Sequence, residues 1–170
     1  MYETYTEDHK ITSKYVVMAS HYPIKNAPGF YFLKMYQEKS YIIAINPKET
    51  LNLNGMYINS ETPTLSFRTA KIGDEELLLI GGSGHKVGKN EDMQKCYGFL
   101  EDTAKKLYPN CEVLYRWSTE DCVSLDKVPY IGKFAASTPN MYIATGFKKW
   151  GMTTANVAAN IITDMILRKT

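Results

Sequence analysis

Residues 141–166 read MYIATGFKKWGMTTANVAANIITDMI, and three patterns succeed one another within them. Met141 to Thr145 is a short apolar run of β-type residues. Gly146 breaks it, and Lys148, Lys149 and Trp150 form a basic, aromatic loop. From Gly151 onward the chain turns helical, with the apolar residues Ala155, Val157, Ala158, Ala159, Ile161, Ile162, Met165 and Ile166 recurring three and four apart. Thr153 and Thr154 are the predicted N-cap, and Arg168 and Lys169 sit favourably at the negative helix end. A strand, a glycine loop and a helix in this order aim the first free N–H groups of the helix at whatever lies above the strand. An anionic or electron-rich ligand suits that position. The same pattern also fits a core helix after a tight turn, with no ligand at all.

Working outward, Val128 to Phe134 reads as a short strand interrupted by Gly132, preceded by a polar loop over Ser118 to Lys127 and a strand over Cys111 to Trp117. Asn90 to Leu107 has the spacing of an amphipathic helix, stopped by Pro109. Gly81, Gly82, Gly84 and Gly88 surround His85 and predict a loop where backbone passes close to something. Gly73 and Asp74 lie between two strand patterns, Thr64 to Ala70 and Glu76 to Ile80, which is a hairpin signal. Earlier strands are predicted over Ser40 to Ile45 and Gly55 to Asn59, with an extended segment over Gly29 to Met35 and a short strand over His9 to Thr12. Thr12 to Ser20 holds the run YVVMA, the pattern of a strand buried on both faces in a parallel sheet. The chain thus leaves one sheet, builds an antiparallel one, and returns to the first.

The 170 residues suffice for one domain or slightly more, and a formal charge of +2 with scattered lysines gives no reason to propose nucleic acid. No apolar run approaches the roughly 18–20 residues that cross a bilayer, so no membrane span is expected. Cys96, Cys111 and Cys122 are odd in number and widely spaced, which suggests neither a disulfide framework nor a zinc site and makes a reducing cytoplasm the expected compartment. The histidines are not at ligand spacing, so no metal is expected.

Three residues stand out as substrate-binding candidates. His21 directly follows the first apolar strand, where α/β sheets place ligands. Arg68 can clamp a carboxylate with its guanidinium fork, as can Arg116, although either can equally make a structural ion pair. His85 sits in the glycine-rich stretch, and its imidazole can donate or accept. No catalytic group is singled out.

Several stretches together resemble one family. VVMASHYP (16–23), LLLIGGSGHKVG (77–88), YRWSTEDCVSLDKVPYIG (115–132) and the stretch quoted first are similar to FAD-dependent oxidoreductases of the D-amino-acid oxidase, glycine oxidase and sarcosine oxidase group. They are most similar to the branch whose longer members carry a Rieske iron–sulfur domain. The resemblance covers nearly the whole chain.

It implies an α+β fold: a substrate domain with an antiparallel or mixed sheet and helices, plus the closing strands and C-terminal helix of a glutathione-reductase-type FAD domain. Residues 1–20 would hold the last strands of that FAD domain before the crossover, 21–112 the substrate domain, and 113–170 the return. The resemblance implies that Gly146, Trp150, Gly151, Met152 and Thr153 lie beside the flavin. Asp126 and Gly132, within the D-x-x-P-x-I-G segment, would support the ribityl and pyrophosphate region. An amine or amino acid would be the small-molecule substrate, oxidised by hydride transfer to FAD.

Three departures accompany the resemblance. No stretch has the G-x-G-x-x-G spacing that cradles the FAD pyrophosphate, and neither Rieske ligand pair is present. Ser118, Thr119 and Glu120 stand where simpler members have a glycine and an arginine. The expectation is therefore a C-terminal part whose N-terminal FAD-binding half is missing, inactive alone and prone to self-association. The alternatives are a non-catalytic binding or interaction module, or one chain of a split flavoenzyme.

Overall fold

The computed structural model describes residues 1–89 and 92–168. In chain order its elements are β1 (Tyr2–Tyr5), β2 (Lys10–Ser13), β3 (Val16–Met18), a 3-10 turn (Tyr31–Leu33), β4 (Met35–Asn46), β5 (Tyr57–Ile58), β6 (Leu65–Ile72), β7 (Glu75–Lys86), α1 (Met93–Leu107), β8 (Glu112–Ser124), β9 (Tyr130–Lys133), β10 (Met141–Thr145) and α2 (Gly151–Arg168). They form two units, one of residues 1–37 and 121–170, the other of residues 38–120. The expected α+β class holds, with mostly antiparallel sheets and two helices.

In the first unit β10 is buried at all five positions, as its unbroken apolar run requires. It pairs parallel with β3, Met141 opposite Val16, and antiparallel with β9, Ile143 opposite Gly132. The parallel pairing agrees with the early strand pattern, but β3 is not buried on both faces. It forms an edge of this sheet, and Val17 remains 46% exposed. β1 and β2 form a separate antiparallel hairpin of which only the second strand was predicted.

Gly29 to Met35 is not extended as its aromatic pattern suggested. Phe30 takes a left-handed backbone conformation and a 3-10 turn follows, which drives Tyr31 inward. The Tyr31 hydroxyl donates to the Phe134 carbonyl oxygen across 2.8 Å, and the two rings pack 5.4 Å apart. Met18, Met35, Cys122, Met141 and Ile143 complete this core.

Burial, and secondarily the neighbouring Tyr130, raises the Tyr31 phenol above its usual value of 10.0. A raised native value means that the contribution is full below pH 10 and lost as pH rises through the native value. The resistance of the first unit to urea should therefore fall above pH 10. Tyr31→Phe should cost about 1 kcal/mol at neutral pH and flatten the alkaline decline; an identical decline in the variant would show that another group causes it.

In the second unit five strands run in the order β5, β6, β7, β4, β8. β6 and β7 form the expected hairpin, with Ile72 opposite Glu75 and Gly73 at φ 61, a conformation glycine adopts without a Cβ penalty. α1 is N-capped by Asp92, whose carboxylate accepts from the Gln94 N–H. It lays Cys96, Leu100 and Ala104 on Tyr41, Ile43, Ile45, Leu78 and Ile80, all facing one side of the sheet. The start of the predicted helix at Asn90 lies outside the described residues.

Two predicted loops are strands instead. β7 continues through Gly81, Gly82 and Gly84 to Lys86. The close approach signalled by these glycines is to the protein itself: a Cβ at Gly82 would lie 2.6 Å from the Thr64 carbonyl oxygen and 2.9 Å from Leu65. β8 likewise runs on through Ser118 to Ser124, because tertiary pairing overrides the polar composition that suggested a loop.

Candidate functional site

β3 and β10 run parallel, so their carboxyl ends lie on the same side, and two sequence candidates meet there. Thr145, the last residue of β10, donates its hydroxyl hydrogen to the His21 carbonyl oxygen. The next residue opens the loop 146–150. Gly146 is buried at φ 76, and a Cβ there would come within 3.6 Å of Met35 Sδ and Ser124 Cβ. Lys148 and Lys149 both take left-handed conformations, at φ 48 and 67. These turns wind the chain tightly enough that the Trp150 carbonyl accepts the first helical bond, from Thr154 N–H at 2.9 Å.

The helix therefore starts at Gly151, two residues before the predicted cap. Thr153 and Thr154 lie inside its first turn, and the αL loop rather than a hydroxyl side chain sets its entry. Lys169, expected at the far end, is outside the described residues.

Gly151, Met152 and Thr153 are exposed, and their N–H groups precede the first bond of the ladder. Trp150 beside them is 65% exposed. The loop is tied from below by Lys148 N–H donating to the Cys122 carbonyl oxygen and by a bridge between Val123 and Phe147. Next to Gly146, the fully buried Ser124 hydroxyl has no hydrogen-bond partner among the described residues. A loop tied in this way, presenting N–H donors, the positive helix end and an aromatic ring, suits a flat ring system that gains negative charge. These residues fit a flavin.

Asp126 lies in the turn after β8 and Gly132 on β9. Asp126 orders its own turn by accepting from Val128 N–H at 3.1 Å. Gly132, at φ 140, leaves room for α2: a Cβ there would sit 3.5 Å from the Met165 methyl. The Tyr130 phenol between them is raised above its usual value by burial and then by Asp126.

The other candidates belong to the second unit. Arg68, on β6, is exposed and points away from the α1 side, between Ser66 and Ala70 on its own strand face. Arg116 is a structural ion pair, its guanidinium 2.6 Å from the Glu101 carboxylate. His85 stacks on Tyr41 on the α1 side. Its Nε2 is 2.9 Å from the Tyr41 hydroxyl and its Nδ1 is 3.1 Å from the Lys86 carbonyl oxygen. The Nδ1–H tautomer satisfies both contacts, donating to the carbonyl and accepting from the phenol. Arg68 and His85 thus lie on opposite faces of one sheet. Ser124 was missed by the sequence reading, since nothing local distinguishes a buried serine without a partner. Among the described residues no cluster of metal-ligating side chains occurs and no helix is long and apolar enough to cross a membrane.

Comparison with known proteins gives the family and the fold. Residues 3–165 match the DAO family, described as FAD dependent oxidoreductase. A candidate Rieske 2Fe-2S iron–sulfur protein of Bacillus subtilis (strain 168), YhfW, is 37% identical over 161 residues, which cover 95% of this chain and 31% of that protein. Glycine oxidase from Bacillus cereus ATCC 14579 superposes with a TM-score of 0.72 at 17% identity, over 96% of this chain and 45% of that one. L-proline dehydrogenase from P. horikoshii gives 0.72 at 18% identity, over 96% and 45%. At such identities the two structures speak for the fold alone. The chain spans about a third of the curated relative's length and under half of each of these structures. Matched along almost its whole length, this chain belongs to the DAO family of FAD-dependent oxidoreductases.

Proposed function

We propose that this chain supplies the substrate-binding part and the closing FAD-domain elements of an oxidoreductase that acts on an amine or amino acid. The observation that carries this reading is the loop 146–150, tied beneath Gly146 and opening α2 with exposed N–H groups at the carboxyl ends of β3 and β10. When bound, FAD would accept a hydride from the substrate α-carbon, leaving an imine that water hydrolyses. The N–H groups of Gly151, Met152 and Thr153 would stabilise negative charge, and Trp150 would exclude water from one side. Asp126 and Gly132 would support the ribityl and pyrophosphate region of the cofactor. His21 is positioned by Thr145 at the same strand ends, and Arg68 offers a carboxylate clamp in the substrate part.

A dinucleotide-binding part must complete the site, in the same polypeptide or in another. The open edge of β3, with Val17 half exposed, favours such pairing, and α2 also leaves Val157, Ile161 and Leu167 exposed. With nothing on that surface, self-association would cover it instead.

The test is an assembly holding both this chain and a dinucleotide-binding part. It should purify yellow, with flavin absorbance bleached anaerobically by some member of an amine and amino-acid panel. Gly151→Pro, which removes one of the proposed donors at a position that tolerates proline, should slow that bleaching at least tenfold while flavin stays bound. A flavin-free assembly, or bleaching unchanged by the variant, would sink the reading. Stoichiometric flavin in this chain alone would instead overturn the need for a second part.

A further inference from the structure

On the side of the second unit's sheet away from α1, two shallow concavities of about 240 and 480 Å³ adjoin one another. Met56, Arg68 and Leu79 line both. Arg68 is exposed and has no ion-pair or hydrogen-bond partner among the described residues, whereas the Arg116 guanidinium is neutralised by Glu101. Its neighbours on this face are Leu79 across the ladder and Ser66 and Ala70 along the strand. None carries a carboxylate. Beside it, the exposed Met56 and Ile58 form an apolar wall. On the other side of Ser66 the face is kept low by Gly81 of β7, where a Cβ would meet the Ser66 hydroxyl at 2.9 Å.

A free guanidinium beside an apolar wall and over small residues recognises two things at once. Its fork takes a carboxylate through paired hydrogen bonds, and a point charge does this less well. Met56, Ile58 and Leu79 take an apolar substituent and desolvate the ion pair from one side. We infer that this face binds a monocarboxylate carrying an aromatic or branched apolar group, with Arg68 on the carboxylate and the β5 wall on the apolar end. Given the reading of this unit as the substrate part, on which this step alone rests, the substrate class becomes amino or imino acids with apolar side chains, with glycine disfavoured.

Binding is measured on the flavin-free 170-residue chain by amide NMR titration with phenylacetate, phenylacetamide and acetate. Phenylacetate should shift resonances of residues 56–58, 66–70 and 79–81 and bind at least tenfold more tightly than the neutral amide or the short acid. Arg68→Gln should weaken it about tenfold and Arg68→Lys about threefold, while Met56→Ala should narrow the preference over acetate. Shifts elsewhere, equal binding of the amide, or no change in either Arg68 variant would overturn the proposal. Flavin plays no part in this measurement, so binding here with no bleaching in the assembly would discredit the oxidoreductase reading alone. Bleaching there without binding here would discredit only this face.

Discussion

Replacing Phe134 by alanine is expected to destabilise the first unit by roughly 3–5 kcal/mol. Phe134 is 2% exposed and its ring meets Tyr31 at 5.4 Å, in a core shared with Met18, Met35, Cys122, Met141 and Ile143. Its removal leaves a void lined by methionines and a tyrosine, and Tyr31 is held by its bond to the Phe134 carbonyl, so collapse into the void is restricted. Because Met35 also packs under Gly146, the variant should loosen the loop before the rest of the unit unfolds. Urea denaturation gives the free energy, and amide exchange at residues 146–154 gives the local effect. A loss below 1 kcal/mol would mean that this core repacks freely and does not anchor the loop.

The second large effect is expected for Gly82→Val, at about 3 kcal/mol in the second unit. The new side chain would meet the Thr64 carbonyl oxygen at 2.6 Å and Leu65 at 2.9 Å, with Leu100 of α1 at 3.6 Å behind. A backbone oxygen at the entry to a paired strand cannot yield as the tip of a side chain can. The effect should register as a lower urea midpoint even with no ligand present, since the glycine serves strand and helix packing. A stable Gly82→Val variant with impaired ligand binding would restore the expectation of a ligand loop.

Legibility in the sequence followed local cause. The β6–β7 hairpin was readable because Gly73 and Asp74 supply a turn between two strand patterns. β10 and α2 were readable because an apolar run and a helical repeat flank a short loop bounded by Gly146 and Gly151. The continuation of β7 through its glycines was not, because what Gly82 and Gly81 avoid is contributed by Thr64, Leu65 and Ser66, distant in sequence. Nor was the extension of β8 over polar residues, whose strand conformation comes from neighbours. The two units exchange chain within β4 and β8, at 37/38 and 120/121, where no loop marks the boundary.

The candidate site divided in the same manner. Gly146 to Thr153 stands contiguous in the chain, so its place at a strand end and helix start could be read from local pattern, and family resemblance then suggested its guest. His85 and Arg68 each carry the right chemistry for a substrate. Their faces were set by strand register, which sent the imidazole to Tyr41 under α1 and the guanidinium to the opposite side.

By itself, then, the sequence determined the strand–loop–helix of residues 141–166, through periodicity and turn residues within one short stretch, while its motifs carried the resemblance to the family and with it the α+β class. The tertiary structure alone decided the true start of α2, the packing role of Gly82, the pairing of Arg116 with Glu101 and the freedom of Arg68. Those depend on which distant residue lies opposite, and a linear chain does not display its own contacts.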